Sequence, residues 1–578
     1  MSVLPPQAAK RFKRWLFRVA LIVLALLLIF SVVLWEKLYH AYPQRLPENV
    51  ANSEFKYGSI GIEEPGGIPY WIWLTLPQIF PEHLPGPGGY TSLGILWEPG
   101  SEMPIGFSKR RIGYDRVGLN CALCHTGSYR LAQDEQRTST TNIMVGAPAT
   151  KFDTQGYLQF LTACANDARF NADTILGAIE YNTKLSALDK AIYRYVLIPG
   201  TQKALIAQGK AALWMKPRPP WGPGRIDPFN PVKFGMLKMD PKDDSTVGNS
   251  DMMPLWAMSA RKSLDDGFHL HWDGLSTNLL DCSLAGALGD GATRKSLPVE
   301  QIEKLVEEIK RLPAPLWPLD IDEKLASEGG KLFAEHCARC HGMDGAQTNK
   351  PLTFSEIANG ALNAHATDPN RLAMWNVTDS QGRTPHEIYN DFGNGYFWDL
   401  DSFRATKGYV SVPLNGIWAR GPYLHNGSVP TLMDLLNPPL SPAATKAMLD
   451  SGDSQLFEAL TDELATTARP RPSQADANKA RERTHKFVQA VVAQARERGV
   501  RPPVFLRGCD VLDATNVGFV ADGSVPVGRN GLFLYATFIQ GNSNAGHLWG
   551  TELTKEQKVA IVEFLKSIPK SSGVTNVK

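Results

Sequence analysis

Two pentapeptides, Cys121-Ala-Leu-Cys-His125 and Cys337-Ala-Arg-Cys-His341, constrain what this chain can fold into more than any other feature of its 578 residues. Both read Cys-x-x-Cys-His, the attachment signature for c-type haem. Two thiols on one helical turn reach the two vinyl groups of a porphyrin and form thioethers, while the adjacent imidazole is held beneath the ring to bind iron. With 7 Cys and 12 His in 578 residues, chance supplies roughly 0.002 such pentapeptides, so two are a signal. A redox dithiol or half of a zinc site would lack the directly following His or carry a second Cys pair nearby, and neither description fits. The expectation is two covalently bound haem c groups, one on Cys121 and Cys124 with His125 as iron ligand, the other on Cys337 and Cys340 with His341.

A chain of this length exceeds one hydrophobic core, since cores stop growing at roughly 250 to 300 residues. The expected layout is a cytoplasmic basic tail at 1–14, a transmembrane anchor at 15–38, an N-terminal cytochrome c-like domain at 45–318, and a C-terminal one at 319–578. The expected fold class is mainly α, with long irregular loops, because 41 Pro and 50 Gly interrupt regular elements. The anchor is read from the apolar run Val19 to Leu34, framed by Trp15 and Trp35 and preceded by Lys10, Arg11, Lys13 and Arg14. No small-x-small cleavage site follows between Ser31 and Gln44, which favours an uncleaved helix. The rest of the chain then faces the periplasm from the bacterial inner membrane, where haem attachment takes place. A formal charge of +2 gives no basis for a nucleic-acid partner.

Helical spacing marks Pro298 to Leu312, through Ile302, Leu305, Val306, Ile309 and Leu312, as the end of the first domain. The Pro-rich segment Ala314 to Asp320 reads as a linker. A second terminal helix starts at the Thr554/Gln557 capping box, continues through Val559, Ile561, Val562, Leu565 and Ile568, and stops at Pro569. Residues of about 437–502 form a polar helical insertion, whose helix from Asn478 to Val500 is expected to be solvated, with a docking face as the alternative.

The sixth coordination positions separate the two sites. The stretch from Leu325 to Gly345 resembles the first helix of class I cytochromes c, in which the distal ligand comes from the loop before the terminal helix. Here that slot holds His547, expected to close haem 2 as a bis-histidine site, with His425 as runner-up. No histidine lies between His125 and His269, and the candidates near haem 1 are Met252, Met253, Met258, His269 and His271. Haem 1 is therefore expected to be open or weakly closed, and an open iron binds O2 or peroxide. Cys164, Cys282 and Cys509 remain, as one disulfide and a thiol or as three thiols.

Over about 105–570 the chain resembles the bacterial dihaem cytochrome c peroxidase superfamily, which includes the methylamine dehydrogenase maturation enzyme and the rubber oxygenases. The resemblance rests on Gly248 to Trp256 leading to His271-Trp-Asp-Gly274, and on Pro422-Tyr-Leu-His-Asn-Gly-Ser-Val-Pro-Thr-Leu432. Two departures count against a standard peroxidase. Asp243 to Gly248 lacks the peroxidases' distal His, and Pro439 stands where they carry a Met or Tyr ligand. The wide spacing of the haem motifs, Trp256, and a His near the C-terminus instead resemble the rubber oxygenases.

That resemblance implies a haem-dependent oxidoreductase in which Trp256 lines the distal pocket of haem 1, Trp272 lies between the haems, and His271 acts as distal base or ligand. It implies O2 or H2O2 as co-substrate, an apolar organic substrate or a redox partner protein, and admits a calcium ion as an additional cofactor. The expected reaction is oxygenation of an apolar, isoprenoid-like substrate. Peroxide reduction and non-enzymatic electron transfer are the two rivals.

Overall fold

The structure, a computed structural model, describes residues 6–131, 140–263, 267–342, 351–353, 367–393, 402–406, 408–450, 474–524 and 532–568. It opens with helix α1 (Pro6–Leu38), which is long and apolar enough to cross a membrane and has none of its apolar stretch buried in protein. Its end is held by the body: Lys37 Nζ pairs with Asp189 at 2.7 Å, and Ala41 bridges Ile112. Ile112 closes β1 (Phe107–Ile112), the hairpin partner of β2 (Tyr114–Leu119). Gly113 makes that turn with φ 70°, and a Cβ there would stand 2.5 Å from the Leu38 carbonyl carbon, so only glycine lets the anchor's end approach.

The first haem motif follows β2 directly. Cys121–Leu123 forms a single helical turn, capped by the Asn120 side chain accepting from Ala122 N. The chain then runs into the hairpin β3 (Thr126–Tyr129) and β4 (Asn142–Val145). Further on lie α2 (Leu279–Gly289) and α3 (Val299–Ile309). In α3 the periodic residues Ile302, Leu305, Val306 and Ile309 are all buried, as is Leu312 just beyond it.

The second half is built on the crossing of α4 (Glu323–His336) with the last helix. A Cβ on Gly329 would fall 1.8 Å from the Ala560 carbonyl oxygen, so the two backbones touch, and Phe333 packs on Phe564 with ring centroids 5.0 Å apart. The intervening strand β5 (Gly408–Val410) pairs antiparallel with residues 351–353. The insertion's helix α5 (Gln474–Glu497) is followed by paired strands β6 (Val504–Arg507) and β7 (Phe533–Ala536). The last helix, α6 (Lys555–Lys566), begins with the full Thr554/Gln557 capping box. Pro569 and residues 451–473 lie outside the described residues.

Three expectations are corrected. The fold mixes helix with seven small sheets among the described residues; their strands are two to six residues long, too short for period-2 alternation to stand out. The insertion's helix is not solvated all round, because Phe487, Val488, Val491, Val492 and Ala495 are buried in a core shared with β6 and β7. Val559 sits on the outer face of α6, 37% exposed.

One contiguous buried cluster runs through both halves, from Phe55 to Ile568. Charged contacts cross it: Arg507 pairs with Asp251 at 2.6 Å, and buried Asp510 holds Arg130 at 2.7 Å and Lys151 at 3.0 Å. The Pro-rich linker is tied down as well, with Trp418 Nε1 donating to the Pro315 carbonyl at 3.1 Å.

Candidate haem sites

A cavity of about 320 Å3 opens beside the first motif, and Cys121, Cys124 and His125 line it. His125 Nδ1 lies 2.7 Å from the Met253 carbonyl, which can only accept, so Nδ1 carries the proton and the Nε2 lone pair is left for a metal. Burial lowers the His125 pKa to about 4, so the ring is neutral and able to ligate.

One wall of the cavity is α2, which presents Cys282, Ala285, Gly286 and Gly289. A Cβ at Gly286 would meet nothing within 4 Å, leaving a flat surface beside the two thiols. Phe229, Val232, Met252 and Met258 make much of the remaining lining apolar. A neutral ligating imidazole, two thiols on one turn and a flat apolar wall together fit a covalently held haem.

His271 and Trp272 line the same cavity. His271 adopts φ 61°, a left-handed backbone that non-glycine residues seldom take. Arg261 fixes it there, with Nη2 donating to the carbonyls of His271 at 2.8 Å and His269 at 3.0 Å. Its Nε2 lies 3.3 Å from Cys282 Sγ, and burial, reinforced by Arg371, lowers its pKa to about 4. Trp272 Nε1 donates to the Asp251 carbonyl at 2.8 Å, while its own carbonyl accepts from Val410 N at 2.8 Å.

Trp256 is placed elsewhere: it is buried outside the cavity lining, with Nε1 donating to the Asn415 carbonyl at 2.7 Å. Met253 lines the cavity beside Met252 and Met258. His269 does not line it; its Nδ1 lies 2.8 Å from Arg404 Nη2.

At the second motif, His341 and His547 face each other with ring centroids 6.4 Å apart. A metal ion bridging two imidazoles through bonds of about 2.0 Å sets their centroids roughly 6.2 Å apart, so the gap fits an iron between them. Burial drives both pKa values down, to about 4 for His341 and about 3 for His547, keeping each ring neutral. Both Nδ1 atoms are buried without a hydrogen-bond partner. His547 also has a left-handed backbone, φ 48°.

Sequence reasoning missed the residue that holds His547 there. Arg501, fully buried, donates to the carbonyls of His547, Gly546 and Leu435 at 2.8 Å each, and also to those of Asn544 and Asn437. Nothing in Gly499-Val-Arg-Pro-Pro503 marks it, because all its partners are carbonyls brought in by the fold.

His425 packs elsewhere, stacked on Tyr409 at 4.2 Å. The Tyr409 hydroxyl donates to the Asp368 carbonyl at 2.7 Å and lies 3.1 Å from His425 Nε2. The His425 carbonyl accepts from Asp251 N at 2.8 Å, so Trp272, Asp251 and His425 form a bonded series leading from the cavity into the second half. None of the seven cysteines forms a disulfide; Cys164 and Cys509 are buried thiols. The one His-and-carboxylate cluster among the described residues that could hold a metal ion is Glu82, His83 and Asp167, and Arg169 already pairs with both carboxylates.

A cytochrome c family model matches residues 326–404, spanning α4 and the second motif, and a model described as RoxA-like, cytochrome c-like matches 408–445, which includes β5 and His425. The chain is thus a c-type cytochrome, a haem c protein of electron-transfer chemistry with a RoxA-like segment in its second half. Among curated proteins it is similar to two from Sinorhizobium fredii (strain NBRC 101917 / NGR234), the uncharacterized proteins y4iM and y4iJ. Identity to y4iM is 30% over 146 residues, covering 23% of this chain and only 32% of that protein. Identity to y4iJ is 23% over 570 residues, covering 83% of this chain and 82% of that protein.

Proposed function

We propose that the chain is a dihaem oxidoreductase in which a haem on Cys121 and Cys124 reacts with O2 or peroxide and a bis-histidine haem on Cys337 and Cys340 relays electrons to or from it. The observation that carries this reading is the unequal build of the two sites. His341 has a second histidine at iron-bridging distance, whereas His125 has a partner only on Nδ1 and a cavity of about 320 Å3 beside it. Haem with an open position supplies activation of O2 or peroxide, with the polarity of the surrounding side chains steering the outcome.

The chain's own residues supply the rest. Met253 holds the proton on His125 Nδ1 and so turns Nε2 toward the cavity. The apolar part of the lining suits an apolar organic substrate, which favours an oxygenase like the rubber oxygenases. Trp272, bonded to Asp251 and through it to His425, offers a route from the cavity into the second half. The helix α1 would anchor the protein in the inner membrane with both sites in the periplasm. A cytochrome c peroxidase is the second reading, favoured by His271, a neutral base in the cavity.

Carbon monoxide binds only ferrous haem with an exchangeable position, so its stoichiometry tests the reading. Dithionite-reduced full-length protein is expected to bind one CO per two haems. No binding at all would leave a membrane-tethered electron carrier, and two CO per molecule would refute the bis-histidine assignment.

A further inference from the structure

Cys282 belongs to neither attachment motif, yet it lines the cavity, with its sulfur 3.3 Å from His271 Nε2. The thiol S–H donates to Nε2 in one tautomer of the neutral imidazole and Nε2–H donates to the sulfur in the other, so the contact engages Nε2 either way. We propose that Cys282 is a positioning residue that keeps His271 Nε2 off the haem 1 iron and so preserves the open coordination position. The inference rests on the reading of haem 1 as the reactive site.

A thiol is a weak donor, and by itself would lose to an iron–imidazole bond. It suffices because the backbone around His271 is already pinned. Arg261 holds the His271 carbonyl and the His269 carbonyl. One residue on, Trp272 is tied through Nε1 to Asp251 and through its carbonyl to Val410. The imidazole can reorient only about its own side-chain torsions, and Cys282, carried on the rigid helix α2, stands at the nitrogen that would have to move. His125 and His271 line the same cavity. Removing the sulfur frees both Nε2 and the room for the ring to turn.

The test compares ferric full-length wild type, Cys282→Ala, Cys282→Ser and the double variant Cys282→Ala/His271→Ala by resonance Raman spin-state marker bands. Haem content and the low-spin bands of haem 2 serve as the folding control. In wild type and Cys282→Ser, haem 1 is expected to be high-spin. In Cys282→Ala most of the haem 1 population should become six-coordinate low-spin, and the double variant should return it to high-spin. High-spin haem 1 in Cys282→Ala beside a high-spin wild type overturns the role of Cys282 and leaves the oxidoreductase reading standing. Low-spin haem 1 already in wild type overturns both.

Discussion

His547→Ala is expected to abolish the low-spin signal of haem 2 completely and to raise CO binding by the reduced protein from one to two per molecule. The imidazoles of His341 and His547 are 6.4 Å apart, both neutral through burial, and among the described histidines only His547 faces His341 in this way. Removing it leaves no other described histidine opposite His341. His425→Ala separates the two candidate ligands: because His425 stacks on Tyr409 instead, its loss should leave the low-spin signal of haem 2 intact. Retention of that signal in His547→Ala would show that another residue closes the site.

Arg501→Leu should be the most damaging single change outside the attachment motifs. Five carbonyls converge on this buried guanidinium, and a hydrogen bond to a charged donor contributes about 1.5–3 kcal/mol. Removing a buried charge recovers part of that, since burial already pushes the Arg501 pKa down to about 9. The net expectation is a loss of about 4 kcal/mol, at the exceptional end for one substitution. The same loop carries His547, so the low-spin signal of haem 2 should become heterogeneous at temperatures where haem 1 is unchanged. Arg501→Lys should recover only part, because three donors on a flexible stem cannot span five carbonyls. Thermal melts of the full-length protein, followed at each haem separately, decide this; a melt within about 0.5 kcal/mol of wild type would contradict it.

What was legible in the sequence shares one property: it is local. The attachment motifs need only five residues each, the capping box of α6 needs four, and the apolar repeat of α3 needs one helical face. His547 was singled out by the resemblance to class I cytochromes c, in which the distal ligand precedes the terminal helix. The rest depends on partners far along the chain. Arg501 draws its carbonyls from Leu435 to His547, and α5 buries its apolar face on strands of which one starts 36 residues after its end. Cys282 was counted as a leftover thiol because its partner, His271, is brought to it only when α2 packs along the cavity. The small hairpins escaped for a related reason, since strands of two to four residues are stabilised by their neighbours and not by their own pattern. The ion pairs of Asp251 and Asp510, which join the two halves across the linker at Ala314 to Asp320, likewise depend on partners distant in the chain.

The two haems are expected to be unequal, one closed by two histidines and the other open. Low-temperature EPR of the ferric full-length protein, before and after addition of peroxide, tests it most directly. One low-spin signal that peroxide leaves alone and one high-spin signal that peroxide changes are expected. Two low-spin signals, both indifferent to peroxide, would contradict it.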